Sequence, residues 1–208
     1  MTNYILFDFD GVIVNSFSAA FGVHKLICPA ATEDDYRKAF EGNINDWQMK
    51  TVKHDERCRH DLDFFAEYIP RMKKIELVAG MSEVIEKLSK SYSLIVISST
   101  LSAPIGELLE KYKLASFFQE IMGNDVHTSK VEKMKIFFAK YKTDAQHCLF
   151  ITDTLGDMRE GAKVNVSAVG VTWGFHDKER LVQGKPVAIV ESPEELVGVV
   201  EKYFAGVK

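Results

Sequence analysis

The chain has 208 residues, with 26 Lys and Arg against 30 Asp and Glu and a formal net charge of -4. That length suits one domain, or one domain with an insert, and 46% apolar with 27% charged residues excludes a disordered or low-complexity chain. The charge balance lacks the strong positive field that nucleic-acid binding needs, and no apolar run approaches the roughly 20 residues that span a membrane. Cys28, Cys58 and Cys148 are far apart with no CxxC pair, which is neither a disulfide framework nor zinc-ligand spacing. The opening MTNYILFDFDG carries no basic region followed by an apolar run, so a reducing cytoplasm is the expected compartment.

In chain order, Tyr4–Phe7 is a short apolar run of strand formers that stops at Asp8-Phe9-Asp10-Gly11. Two acids and a glycine straight after a buried strand need charged or hydrogen-bonding partners. From Phe17 to about Ile75 no strand alternation appears. Thr32 followed by Glu33, Asp34 and Asp35 reads as a helix start. Phe40, Trp47 and Val52 suggest helical surfaces interrupted near Gly42, and Leu62, Phe65 and Ile69 mark an amphipathic helix over Asp61–Arg71, shortened by Pro70. This stretch is an expected helical insert of about 60 residues.

A βα texture follows. Helices are expected over Gly80–Ser89, Ile105–Tyr112 and Lys130–Tyr141, from Met158 to Lys163, and over Pro193–Tyr203. Strands are expected over Leu94–Ile97, Phe117–Met122, Cys148–Ile151, Val166–Val171 and Val187–Val190. Continuous apolar strands alternating with helices predict an α/β fold, a Rossmann-like three-layer parallel sheet with an inserted small helical cap. The expected division is 1–16 with 79–208 as the core and 17–78 as the helical insert. Ligands of such sheets bind at the carboxyl ends of the strands, where Asp8/Asp10, Ser98/Ser99 and Asp153/Asp157 would lie.

If those clusters converge, several carboxylates fall within a few ångströms and repel one another unless a cation sits among them. An all-oxygen set without paired Cys or His suits Mg²⁺ rather than zinc. Lys130 adds a balancing positive charge, and Ser98 adds a hydroxyl beside backbone N–H groups at a helix start. Together these are the parts of a phosphoryl-transfer site, in which an Asp carboxylate can attack phosphorus and divide the reaction into two steps. Singly, each residue has a plainer reading: a strand-end Asp as a turn or cap, Ser98 as a helix cap, Lys130 as a solvated helix lysine.

The order of these motifs resembles the haloacid dehalogenase-like hydrolase superfamily, in the branch with a small helical cap that includes phosphoglycolate phosphatase-like and β-phosphoglucomutase-like members. Its first motif, hhhDxDGhhh(D/N)S, is similar to Ile5–Ser16; its second to Ile95-Val96-Ile97-Ser98; its third to Lys130; its fourth, GDxxxD, to Thr152–Asp157; and Gly170-Val171-Thr172-Trp173-Gly174 resembles the strand end that follows. The resemblance implies Asp8 as nucleophile and Mg²⁺ ligand, Asp10 as general acid and base with its carbonyl on the metal, and Ser98 on the phosphoryl group. It implies Gly11 and the Ser99 N–H beside that group, and Lys130 joining the nucleophile and phosphate charges. Asp153 would bind the metal directly, and Asp157 would act through water or position Lys130. Three residues depart from the family pattern: Thr152 replaces a glycine, Val131 follows Lys130 where proline is usual, and Asn165 replaces a glycine.

The implied activity is Mg²⁺-dependent hydrolysis of a small phosphomonoester, a phosphorylated acid or sugar, through an aspartyl-phosphate. A phosphomutase of the β-phosphoglucomutase type and a non-catalytic binding protein on the same scaffold remain as alternatives. The expected partner is a small phosphorylated metabolite, with no nucleic acid or membrane, and the chain would be a monomer or homodimer. Arg37, Asn43, Trp47 and Lys50 are candidate specificity residues of the cap, each with a plainer reading as cap core or solvated surface. Among the histidines, His176 is the candidate nearest the active edge.

Overall fold

The four central strands of the sheet are apolar runs buried on both faces, the two edge strands are partly exposed, and the sheet is parallel throughout. In the computed structural model, which describes residues 2–44 and 57–206, the strands are β1 (Tyr4–Phe7), β2 (Ser93–Ile97), β3 (Phe118–Met122), β4 (Cys148–Thr152), β5 (Ser167–Val171) and β6 (Ala188–Val190). They are ordered β3-β2-β1-β4-β5-β6. After β3 the chain crosses back over the sheet to place β4 on the other side of β1. This reversal opens a crevice at the carboxyl edge. The register aligns Phe7 with Val96 on one side and Ile151 on the other, so Asp8, Ser98 and Asp153 leave the sheet at nearly the same height.

The strand period of two divides the core. Ile5 and Phe7, with Val96, Leu149 and Ile151, pack against helices α4 (Met81–Ser89), α5 (Ser102–Lys111) and α9 (Glu195–Gly206). Tyr4 and Leu6, with Ile95, Ile97 and Phe150, pack on the other face against Met134 and Phe137 of α6 (Lys130–Tyr141). The short α7 (Leu155–Lys163) and α8 (Lys178–Val182) meet through Met158 and Leu181. This is the three-layer architecture that the apolar pattern predicts.

The insert between β1 and α4 is helical. It contains α1 (Phe17–Ile27), α2 (Glu33–Lys38) and α3 (Phe64–Met72). Thr32 caps α2 in a reciprocal capping box with Asp35. The amphipathic helix begins at Phe64 rather than Asp61, because the Asp63 carboxylate accepts from the Ala66 N–H at 2.8 Å and sets the start. Pro70 lies inside this helix, two residues before its end, where it has no N–H to donate to the Ala66 carbonyl. The chain enters and leaves the insert side by side: Asn15 N–H donates to the Glu76 carbonyl at 2.9 Å and Val78 N–H to Ile13 at 3.0 Å. Trp47, Lys50 and Val52 lie outside the described residues. Elsewhere element ends shift by one to three residues; α7 starts at Leu155 instead of Met158 because Thr154 accepts from the Asp157 N–H. Helix α8, which the sequence pattern does not single out, is capped by Asp177 accepting from the Arg180 N–H at 2.9 Å. No helix among the described residues is long and apolar enough to cross a membrane.

Candidate active site

Asp8 ends β1 still on the ladder, its N–H donating to the Ile151 carbonyl at 2.9 Å. The chain then turns sharply, with Ile13 and Val14 N–H groups both returning to the Phe9 carbonyl. Gly11 sits in this turn at φ 77°, and a Cβ there would lie 2.1 Å from Asp153 Oδ2. The glycine is therefore required both by backbone conformation and by the close approach of β4's acid.

Lys130, the first residue of α6, is buried and bridges two carboxylates: its Nζ lies 2.8 Å from Asp8 Oδ1 and 2.6 Å from Asp157 Oδ2. Burial alone would lower its pKa, but Asp157 and Asp8 together raise it above the ordinary lysine value, keeping it charged. Burial would push Asp157 up, yet Lys130 and the hydroxyl of Thr152, which donates to Asp157 Oδ2 at 2.8 Å, hold it below the usual value. The threonine that replaces glycine thus supplies a hydrogen bond that fixes Asp157. Asp8 is raised well above the usual carboxylate range by burial, and Asp157 and Asp153 add to this against the pull of Lys130. Burial likewise pushes Asp153 up to about 7.

Asp153 Oδ2 accepts from the Phe175 N–H at 2.7 Å, while its Oδ1 is buried without a hydrogen-bond partner. A buried orphan carboxylate oxygen is costly unless a cation or water meets it. Asp8 and Asp153, two acids whose burial disfavours their charge, are the groups a divalent cation would favour in ionised form, and an all-oxygen site fits Mg²⁺. Among the described residues no group of three or more His, Cys, Asp or Glu side chains stands in ligating geometry. Asp157 is turned to Lys130 and Thr152, and the Asp10 carboxylate is turned elsewhere. The side chains whose surroundings fit a cation are therefore Asp8 and Asp153.

Asp10 reaches towards the insert. Its Oδ1 accepts from the Tyr68 hydroxyl of α3 and its Oδ2 from the Thr100 hydroxyl at 2.7 Å. Neither partner is visible in the motifs, although Thr100 belongs to the polar run that ends β2. Ser98 is wholly buried, and its Oγ accepts from the Thr100 N–H at 2.9 Å, whereas Ser99 and Thr100 line the cavity itself. Lys133, one turn after Lys130, is buried and donates to the Ser98 carbonyl at 2.5 Å. Burial, reinforced by Lys130, lowers its pKa from 10.5 to about 8. The folded state therefore releases this proton before the unfolded chain does, so its contribution to stability rises with pH between those values. The stability difference between wild type and Lys133→Met, from urea unfolding at a series of pH values, should shift towards wild type from pH 8 upward, by at most about 1.4 kcal/mol per pH unit. A pH-independent difference would refute this.

The insert is closed against these strand ends. Glu160 of α7 accepts from the Lys130 N–H at 3.0 Å and the Ser129 hydroxyl at 3.2 Å, and from Asn43 Nδ2 of the insert at 3.1 Å. Glu160 and the capping Ser129 thereby hold the start of α6 in the absence of the expected proline. His176 is buried, with Nδ1 accepting from the Leu155 N–H at 3.0 Å and Nε2 facing the Arg37 carbonyl at 2.8 Å. That pairing selects the neutral ring carrying its proton on Nε2, and burial lowers its pKa. His176 is thus a strut between core and insert. His176→Ala should cost about 1–3 kcal/mol by leaving the buried Leu155 N–H unmatched; an unchanged urea midpoint would refute the strut.

Two candidate specificity residues point elsewhere. The Arg37 guanidinium lies 3.9 Å over the Phe17 ring, a favourable partner for a cation, outside the cavity lining, and its backbone carbonyl meets His176. The Asn43 amide is committed to Glu160 and is likewise outside the lining. Trp47 lies outside the described residues. Asn165 has φ 61°, the left-handed conformation that asparagine tolerates where glycine is usual. A cavity of about 400 Å³ opens beyond Asp8, Asp10 and Lys130, with walls of Tyr36, Phe40, Phe64, Phe65 and Phe175.

Three polar clusters at the carboxyl edge of a β3-β2-β1-β4-β5-β6 parallel sheet, joined by Lys130 and lying under a helical insert, define a hydrolase class, and the chain belongs to the haloacid dehalogenase-like hydrolase family, which it matches over residues 5–171. It is 24% identical to a phosphoglycolate phosphatase of Synechococcus elongatus across 94% of this chain and 96% of that protein. A phosphoglycolate phosphatase of Vibrio parahaemolyticus is also 24% identical, over 94% and 95% of the two chains. Among solved structures, a haloacid dehalogenase-like family hydrolase from Streptococcus pneumoniae superposes with TM-score 0.82 at 18% identity, over 96% and 98% of the two chains. CbbY from Rhodobacter sphaeroides, in complex with phosphate, superposes with TM-score 0.75 at 16% identity, over 94% and 96%.

Proposed function

We propose that the chain is a Mg²⁺-dependent phosphatase acting on a small phosphomonoester, with 1–16 and 79–208 carrying the chemistry and 17–78 acting as the cap over it. The observation that carries this reading is the pairing of Lys130 with Asp8, beside an Asp153 oxygen left without a partner. Mg²⁺ held by Asp8, Asp153 and the Asp10 carbonyl would neutralise charge on the phosphoryl oxygens. Asp8 Oδ1 is occupied by Lys130 and the Phe9 N–H, so Oδ2 is the attacking oxygen. It bonds to phosphorus as the ester oxygen departs, and Asp10 gives that oxygen a proton. Asp10 then takes a proton from water, whose oxygen attacks phosphorus, releasing phosphate and restoring the Asp8 carboxylate. Tyr68 and Thr100, each donating to one Asp10 oxygen, set the direction from which that proton moves.

Within the class of phosphorylated acids and sugars, the ring-rich wall favours a sugar-sized alcohol over a two-carbon acid. A cavity of about 400 Å³ exceeds what a two-carbon acid fills, and Lys130, the only Lys or Arg among its described lining residues, is already paired with two carboxylates. The test is phosphate release from a panel of phosphomonoesters that includes phosphoglycolate and hexose phosphates, with Mg²⁺ and with EDTA. Release that requires Mg²⁺ is expected. No release from any ester would overturn the phosphatase reading, and isomerised sugar phosphate without phosphate release would replace it with a mutase.

A further inference from the structure

The insert brings together two cysteines that stand 30 positions apart in the chain. Cys28 Sγ and Cys58 Sγ are 2.6 Å apart. Cys28 follows the last residue of α1, its N–H still donating to the His24 carbonyl at 2.7 Å. The chain carrying Cys58 is held against that helix end by a second, independent contact, the Arg59 N–H donating to the Ile27 carbonyl at 2.7 Å. The backbone on both sides of the pair is therefore tied before any bond between the sulfurs exists. Cys28 is 2% exposed and Cys58 is half-buried. Cys148, the third cysteine, lies in the sheet core, its Sγ turned to the Asp144 carbonyl at 3.3 Å.

We propose that Cys28 and Cys58 form a reversible intramolecular disulfide, making the cap a site of oxidative modification by a peroxide. Cys58, the more accessible sulfur, attacks one oxygen of hydrogen peroxide as its thiolate; the O–O bond breaks, and the departing oxygen leaves as water after protonation. The sulfenic acid so formed is attacked by Cys28, the S–O bond breaks, and a second water leaves. Two thiols lose two electrons and two protons, and one peroxide becomes two waters. A dithiol reductant reverses the change by exchange. A disulfide of about 2.05 Å needs only a small approach of two sulfurs already this close. The bond closes a loop that holds α2, Arg37 and Asn43, the groups that meet His176 and Glu160 of the core. It also pins Cys28 in the wall of the cavity.

The full chain is treated with hydrogen peroxide, unfolded in acid, alkylated and weighed. Reduced protein should take up three alkyl groups. Oxidised protein should take up one, weigh less by two hydrogen atoms before alkylation, and yield a Cys28–Cys58 linked peptide that dithiothreitol abolishes. Because a crosslink restricts the unfolded chain, the oxidised form should melt about 5 °C higher. Cys58→Ser, at a half-buried position, should fold and show neither the mass change nor the shift. Cys148→Ala should show both. Peroxide-treated wild type that still takes up three alkyl groups, that crosslinks between chains, or that gains oxygen at Cys58 without losing the second thiol would overturn the proposal.

Discussion

Asp8→Asn should abolish phosphate release, with kcat falling about 10³-fold or more while the fold is kept. The amide preserves the shape of the side chain, and its oxygen can still accept from the Phe9 N–H and from Lys130 Nζ, the two contacts that orient Asp8 Oδ1. What is lost is the nucleophilic carboxylate oxygen, and losing an attacking group removes most of the rate enhancement of a covalent mechanism. The same change removes one anionic partner of a bound cation. Mg²⁺ should therefore raise the melting temperature of wild type and raise that of the variant much less, since a ligand stabilises in proportion to its affinity for the folded state. Single-turnover phosphate release and thermal melts with and without Mg²⁺ check both halves. A variant within tenfold of wild type would remove Asp8 from the chemistry.

Lys130→Met should be the most destabilising single change in the site, by about 3–5 kcal/mol. The Lys130 side chain is only 2% exposed and is the positive group between Asp8 and Asp157, which are 8% and 11% exposed. Methionine fills much of the same volume, so the cost is not a cavity. Asp8 and Asp157 are instead left facing each other without compensation, in surroundings where Asp157 already raises Asp8. Without a bound cation, partial relief comes through protonation, which would also disable Asp8 as a nucleophile. Urea unfolding should show a lower midpoint with an unchanged slope, and turnover should be lost with it. An unchanged midpoint would show that Lys130 is not the ion pair's keystone.

The remaining contacts divide by how far apart in the chain their partners lie. Asp8, Asp10, Gly11, Lys130, Asp153 and Asp157 stand out in the sequence because each follows an apolar strand or begins a helix, and a parallel sheet brings all such ends to one edge. Asn165 and Thr32 are equally legible, since left-handed backbone and helix starts depend on residue type and near neighbours. Tyr68 on Asp10, Glu160 under the start of α6, and Lys133 on the Ser98 carbonyl carry no such signal. Each is an ordinary helical residue until the packing of α3, α6 or α7 turns it inwards.

Arg37 and Asn43 illustrate the same limit from the other side. Their residue types suit anion recognition, and their position near Gly42 places them in the insert, but a side chain's target is set by what lies within its reach after folding. For Arg37 that is the Phe17 ring, and for Asn43 it is Glu160. Cys28 and Cys58 are distant in sequence, and folding makes them neighbours, with the Arg59 N–H on the Ile27 carbonyl beside them. The amino-acid sequence by itself determined the parallel sheet, its layers and the acidic strand ends, because hydrophobic period and local backbone chemistry act over a few residues. Tertiary structure decided which carboxylate keeps an unmatched oxygen, what orients Asp10 and how the insert is tied down. Those outcomes depend on distances of a few ångströms between groups that the chain order leaves far apart.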